Sequence, residues 1–446
     1  MNLIYLHSHD TGRYVQPYGH AIPTPHMQRL AEQGVMFRQA FCANPTCSPS
    51  RACLLSGMWA HNNGMTGLAH RGWQMNHYER HLANVLKANG YTCCLAGLQH
   101  VVNQRNGGPQ ICGYDHQPTL EDGDESPADV AVRWLRQHVQ SNPGKPFFLD
   151  CGHSHTHRKG DHFHDPPPGE PKTDPRFVRP PAPLPDNATT RQDMADYIDD
   201  ARSLDRFHGR VLDAVDELGI ADHTLIVCTT DHGIAFPEMK CSLTDHGLGV
   251  LLLMRGPGGF SGGKVVDAMV SHLDVFPTFC DVLGIERPDW LQGESMLPLV
   301  SGEADAIRHE VFAEVNYHAA YEPKRCVRTQ RYKYIRRFDG RDRRVLPNCD
   351  QSPSKTLLID QGWAEQPVAE QSLFDLMLDP NETHDLADDP AHADALADMR
   401  RRLDRWMKDT NDPILNGPVP LPDGAVVNDP DGVSPQETPG TFHPSR

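Results

Sequence analysis

Two short apolar runs, far apart in the chain, each end in a polar pair of acid and imidazole. Leu3-Ile4-Tyr5-Leu6 leads into His7-Ser8-His9-Asp10, and Thr224-Leu225-Ile226-Val227-Cys228 leads into Thr230-Asp231-His232-Gly233. Apolar runs of this length without alternation read as strands buried on both faces. Helical patterns lie between them. Thr24-Pro25 caps a helix with Met27, Leu30 and Ala31 on one side, ending at Gly34. His81 to Asn89 is a second helix, stopped by Gly90. Ser126-Pro127 starts a third that runs to about Gln140, and Ala195 to Leu218 is a fourth. Tyr91 to Leu95, Pro146 to Cys151 and Val250 to Met254 add strands, and Ser271 to Leu283 adds a helix that contains Pro277. Strands alternating with helices specify an α/β protein whose parallel or mixed sheet is covered on both faces. Ligands of such sheets gather at the carboxyl ends of the strands, where His9-Asp10 and Asp231-His232 stand.

The length of 446 residues allows a large core split into two domains. A net charge of −17 argues against nucleic acid as a partner, although a local cationic pocket can still bind an anion. The first residues show neither a basic n-region nor a long apolar run, so the expected location is cytoplasmic with no membrane partner. The 12 cysteines include the neighbours Cys93-Cys94 and show no zinc-type spacing, so reduced thiols are expected. Gly160 to Asn187, rich in Pro, Asp and His, reads as a long surface loop. From about Tyr321 the texture changes. Cys326 to Ile335 alternates like one half-exposed strand, Leu373-Phe374-Asp375-Leu376 is another strand, and the Pro- and Gly-rich tail after Asp412 wraps the surface or is mobile.

One stretch carries more chemistry than the rest: Cys47-Ser48-Pro49-Ser50-Arg51-Ala52-Cys53-Leu54-Leu55-Ser56-Gly57. It reads as a loop feeding a short helix, with Pro49 near the first turn and Gly57 as the stop. Unpaired N–H groups at such a position, and the helix dipole, suit an anionic ligand. The plain alternative is a buried cysteine. The flanks, Thr24 to Phe37 before it and Leu-Leu-Ser-Gly-x-x-x-His-x-x-Gly after it, closely resemble the type I sulfatases of the alkaline phosphatase superfamily. The likeness runs through separate motifs from Asn2 to about Ala387. It implies a large mixed sheet flanked by helices, with a smaller C-terminal α+β subdomain built on an antiparallel sheet and a helix from Ala391 to Met407. The boundary falls between residues 1–320 and 321–446. In the family the motif cysteine is oxidised to formylglycine, so a formylglycine-generating enzyme is an implied partner.

The same resemblance assigns roles. Family members hold a divalent cation, usually calcium, with Asp-Asp and Asp-Asn at the two strand ends. Here His9, Asp10, Asp231 and His232 occupy those positions, two carboxylates and two imidazoles, with His9 either a ligand or a support. Nitrogen donors favour manganese or zinc over calcium. Arg51 would hold the nucleophile derived from Cys47. His100 matches a family histidine that takes a proton from it, but Leu98 stands where a sulfate-binding lysine is usual. His157, the third histidine of His153-Ser154-His155-Thr156-His157, matches the acid that protonates the leaving group. Lys240 matches a cation that binds the sulfate. Thr230 to Pro237, and Phe147-Phe148-Leu149 followed by His-x-His, look most like the branch that cleaves N-sulfate, the sulfamidases. The implied substrate is a small-molecule or glycan sulfate, and a homo-oligomer is compatible with the chain. Two other readings stand beside this one. The Asp231-His232 pair also resembles the phosphonate monoester and phosphodiester hydrolases of the superfamily. If Cys47 stays a thiol, the chain would be a non-catalytic binder of sulfated glycans.

Overall fold

The computed structural model describes residues 1–167 and 169–439. Its larger sheet has seven strands: β1 (Asn2–Ser8), β2 (Val35–Phe41), β3 (Thr92–Gly97), β4 (Phe147–Gly152), β5 (Thr224–Thr230), β6 (Leu252–Arg255) and β7 (Lys264–Ser271), in the order β3-β4-β1-β5-β6-β2-β7. It is mixed, because β6 runs antiparallel to both neighbours while the other pairings are parallel. The buried runs of β1 and β5 split by alternation between two cores. Leu3, Tyr5, Leu225 and Val227 face one side, with the helices Cys47–Ser56, Leu82–Ala88 and Val275–Leu283. Ile4, Leu6, Ile226 and Cys228 face the other, with the helices Pro25–Gln33, Pro127–Ser141 and Ala188–Glu217. No face of the strand is left for water, which is why the sequence shows apolar runs and no alternation.

The pairing of β1 with β5 fixes the site. Their register ends with Ser8 opposite Thr230, so His9-Asp10 and Asp231-His232 leave the sheet side by side. The turn after His232 depends on Gly233. A Cβ there would lie 1.9 Å from the His246 carbonyl oxygen, closer than any side chain can sit.

The second sheet is antiparallel, in the order β11-β10-β9-β8, with β8 at Glu310–Tyr317, β9 at Tyr321–Thr329, β10 at Tyr332–Arg337 and β11 at Gln371–Asp375. The helix Ala393–Asp409 packs on it through Leu396, Met399 and Leu403. Three expectations change. Cys326 to Ile335 is not one strand but a tight hairpin, because Gln330-Arg331 turns the chain and Thr329 Oγ1 accepts the Tyr332 N–H at 3.0 Å. The helix expected from Ala195 starts at Ala188, where Asn187 Oδ1 accepts two first-turn N–H groups. Thr24 precedes its helix but does not cap it, since its hydroxyl instead accepts the Gln16 N–H at 2.8 Å. The tail after Asp412 wraps the fold as far as it is described: Val426 and Asn428 donate to the Arg71 and Ala319 carbonyls, and Val419 and Val427 are buried. Its last residues, 440–446, lie outside the described residues. No described helix is long and apolar enough to cross a membrane.

Several fully buried histidines hold structural bonds as neutral rings. His81 Nδ1 accepts the Ala83 N–H as a helix cap, and burial pushes its pKa down to about 4. Burial pushes His208 and His272 down to about 3. The unfolded chain takes up these protons near pH 6.5 and the folded one does not, so stability is lost as pH falls below about 6.5, by roughly 1.4 kcal/mol per pH unit for each such histidine. Urea unfolding at pH 7.5, 6 and 5 should show a falling midpoint; equal midpoints would mean these rings are not held neutral.

Candidate active site

Cys47 is the first residue of its helix and is only 2% exposed. The preceding Thr46 gives its hydroxyl to Asn44 Oδ1, so no side chain caps this helix start. Gly57, at φ 67°, ends the helix as expected. The Cys47 sulfur lies 3.4 Å from His232 Nε2. Burial raises the thiol pKa well above its usual value, with Lys240 pulling down and Asp10 and Asp231 pushing up.

The four strand-end residues converge beside it. His9 Nδ1 is 3.1 Å from Asp231 Oδ2, and His232 Nε2 is 3.4 Å from Asp10 Oδ1 and 3.7 Å from Asp231 Oδ2. His232 Nδ1 donates to the Gly233 carbonyl at 3.0 Å, which leaves the Nε2 lone pair facing the cluster. These residues fit a divalent cation on three grounds. Asp10, Cys47, Asp231 and His232 bring ligand atoms within 4.8 Å of one another, as do His9, Asp10, Cys47 and His157. His9 Nδ1 and Asp10 Oδ1 are buried with no hydrogen-bond partner. Lastly, Arg51 and Lys240 face three carboxylates, Asp10, Asp231 and Asp350, so the protein alone is anionic here and a divalent cation reverses the sign.

Arg51 sits one helical turn after Cys47 and is buried. It donates to His7 Nδ1 at 2.5 Å, to the Ser8 carbonyl at 2.6 Å and to Asp231 Oδ2 at 3.0 Å. Burial works against the Asp231 charge, but His232, Arg51 and His9 together hold its pKa well below the usual carboxylate range. Lys240 bridges Asp10 Oδ2 at 2.9 Å and Asp350 Oδ2 at 2.8 Å. Burial disfavours its charge, and the two carboxylates outweigh burial and raise its pKa. His157, 39% exposed, donates from Nδ1 to the Arg158 carbonyl and turns Nε2 to the site, 3.5 Å from Lys240 Nζ. His100 stacks on His70, and His100 Nε2 and His70 Nδ1 lie 2.9 Å apart. Burial and Arg71 push His70 down to about 4, so this pair shares one proton between neutral rings. The structure therefore gathers all nine candidates, Cys47, Arg51, His100, His157, Lys240, His9, Asp10, Asp231 and His232, in one place.

Sequence reasoning missed four contributors. Asp150 lies inside β4, opposite Tyr5 of β1, and it accepts from His7 Nε2 at 2.7 Å and from the Tyr114 hydroxyl. A lone acid inside an otherwise apolar buried run is the signal that could have marked it. His70, His318 and Asp350 lie on irregular segments with no pattern to mark them. Burial and the Lys240 charge hold the His318 pKa well below its usual value. A cavity of about 590 Å³ lies beside Lys240 between Arg344, Trp363 and Lys324, and Cys47 does not line it.

A family model described as Sulfatase matches residues 1–285. The chain belongs to the sulfatase family. It is a hydrolase of sulfate esters or sulfamates. A second model, described as N-sulphoglucosamine sulphohydrolase, C-terminal, matches residues 239–361 of this sulfatase. Human N-sulphoglucosamine sulphohydrolase is 29% identical to it, over 94% of this chain and 92% of that protein. An ulvan-active sulfatase of Formosa agariphila is 24% identical, over 96% of this chain and 77% of its own. Among solved structures, phosphonate monoester hydrolase of Silicibacter pomeroyi superposes with a TM-score of 0.70 at 20% identity, covering 92% of this chain and 95% of that one.

Asp350→Asn should leave Lys240 held by Asp10 while removing one negative charge from the site. Inhibition by inorganic sulfate should then tighten by about tenfold, equivalent to about 1.4 kcal/mol. An unchanged inhibition constant would show that Lys240 does not face the anion.

Proposed function

We propose that this sulfatase releases sulfate from the amine nitrogen of an N-sulfated glucosamine, through a formylglycine made from Cys47 by a formylglycine-generating enzyme. The observation that carries the reading is the position of residue 47, against His232 and between Asp10 and Asp231. The thiol pKa is raised by burial, so an unmodified Cys47 would be a protonated, inert group. The choice of N-sulfate is supported by the nearly full-length likeness to the human N-sulphoglucosamine sulphohydrolase and by the C-terminal family match. That C-terminal part, with the proposed boundary at residues 320 and 321, lends Asp350 to the site.

His9, Asp10, Asp231 and His232 would hold the divalent cation. When bound, it supplies positive charge that polarises the sulfuryl group and acidifies the nucleophile. With two imidazoles in the set, manganese or zinc is the proposed ion. Arg51, fixed by His7, Ser8 and Asp231, orients the hydroxyls of the hydrated aldehyde at position 47. Lys240 neutralises charge on the transferring group. His157 Nε2, at the solvent-reaching rim, protonates the leaving nitrogen. His100 takes the proton from the second hydroxyl at position 47, which expels sulfate and restores the aldehyde. The twelve free cysteines, eleven of them buried, support a reducing compartment and a cytoplasmic location.

A second reading, phosphonate monoester hydrolysis, is favoured by His232 in place of the usual Asn. Turnover of N-sulfoglucosamine, nitrophenyl sulfate and phenylphosphonate decides between them, together with the mass of the peptide that carries residue 47. N-sulfate should turn over fastest, and that peptide should be lighter by the change from CH2SH to CHO. Faster turnover of phenylphosphonate, or full activity with an intact thiol, overturns the proposal.

His157→Ala should slow the sulfamate far more than an activated aryl sulfate, because the aryl leaving group needs no proton. The gap should be about 10²–10⁴-fold. Equal losses on both substrates would remove His157 from that role.

A further inference from the structure

We propose that His155, His164 and Asp200 form a second metal site, a zinc-type clip that fastens the loop carrying His157 to the long helix Ala188–Glu217. The ligand atoms of the three residues all lie within 4.8 Å of one another. Both imidazoles aim Nδ1 at the same carboxylate: His155 at Oδ1, and His164 at Oδ2 at 3.1 Å. The rings are 4.3 Å apart, centre to centre. The Asp200 side chain is 0% exposed, while His155 and His164 keep 17% and 13%.

The charge balance points to a cation. A fully buried carboxylate needs a positive partner, and among the described residues no lysine or arginine pairs with Asp200. Two imidazole nitrogens and one carboxylate oxygen, with water in the remaining positions, are a donor set that zinc accepts. Calcium, which takes six to eight oxygens, does not fit. Without an ion both rings carry their proton on Nδ1 and donate it to Asp200. Zinc would displace both Nδ1 protons to solvent, and each ring would take one from water at its partly exposed Nε2 edge. The rings stay neutral, and no redox change is involved.

The placement gives the clip a purpose. His155 and His164 bracket His157 and Arg158, and Asp200 stands on a helix capped at Asn187 and packed along its length. The His155 carbonyl also accepts the His9 N–H at 3.0 Å. Fixing both ends of this loop to one rigid element lowers the freedom of the His157 ring before substrate arrives. The clip is separate from the cluster at Cys47, with which it shares no ligand.

The test uses the full chain with Asp10→Ala, which disables the site beside Cys47. After chelation, this protein is refilled with zinc and its metal counted after gel filtration. It should hold about one zinc per chain. Adding His164→Gln should abolish that zinc, and adding His162→Gln, at an exposed neighbour, should not. Cobalt(II) in place of zinc should give visible d–d absorption that Asp200→Asn removes. This second reading stands even if the His164 variant fails to fold. Zinc should also slow proteolysis between residues 155 and 164. An Asp10→Ala protein that binds no zinc, or zinc content unchanged by both His164→Gln and Asp200→Asn, overturns the proposal.

Discussion

Arg51 is the tie on which the rest of the site depends. One buried guanidinium joins the helix that starts at Cys47 to the ends of both central strands, through Ser8, His7 and Asp231. His7 passes the contact on to Asp150 inside β4, and Tyr114 closes the chain from outside the sheet. Three parallel strands and one helix are thus held by a single cation and its hydrogen bonds. Removing one member of such a buried set leaves its partner charge uncompensated, at a cost of about 3–5 kcal/mol. The side chain proposed to orient the reacting group is therefore also part of what holds these strands together.

The electrostatics of the site follow from its neighbours rather than from the chain as a whole. The net charge is −17, yet the substrate is an anion. Arg51 and Lys240 are both fully buried and both engaged by carboxylates, so neither is free to attract a sulfate unaided. A cation bound between Asp10 and Asp231 would engage those carboxylates and release positive charge toward residue 47. As proposed ligands, the imidazoles of His9 and His232 would make the set less anionic than one of carboxylates alone, and its donors softer.

The second sheet is more than an appendage to this arrangement. It packs against the same core as the helix that starts at Cys47, through Val311, Val327, Tyr334 and Leu373. Buried Arg325 on β9 ties this sheet to Asp412 at the start of the tail, at 2.5 and 2.9 Å. The segments attached to the sheet deliver Asp350 to Lys240 and set His318 nearby. Residues from the far half of the chain so reach a site whose central cysteine lies in the first fifty residues.

What the sequence determined by itself was whatever repeats with a short period or a short spacing. The apolar runs of β1, β4 and β5 declared buried strands, because both of their faces meet helices. Ser126-Pro127 and Gly57 declared helix ends, because capping chemistry is local. The cysteine motif marked Cys47 as the candidate reacting residue, because its neighbours within ten positions define the motif. The tertiary structure decided what depends on strand order and register. That β1 and β5 are neighbours, with Ser8 opposite Thr230, brings His9-Asp10 to Asp231-His232 across more than two hundred residues. No periodicity in the chain encodes that choice. The hairpin at Gln330-Arg331, hidden inside one alternating run, and the arrival of Asp350 and His70 from irregular segments were likewise set by packing. Backbone in irregular segments follows the surface it lies on, and its own residues carry no repeating pattern from which that surface can be read.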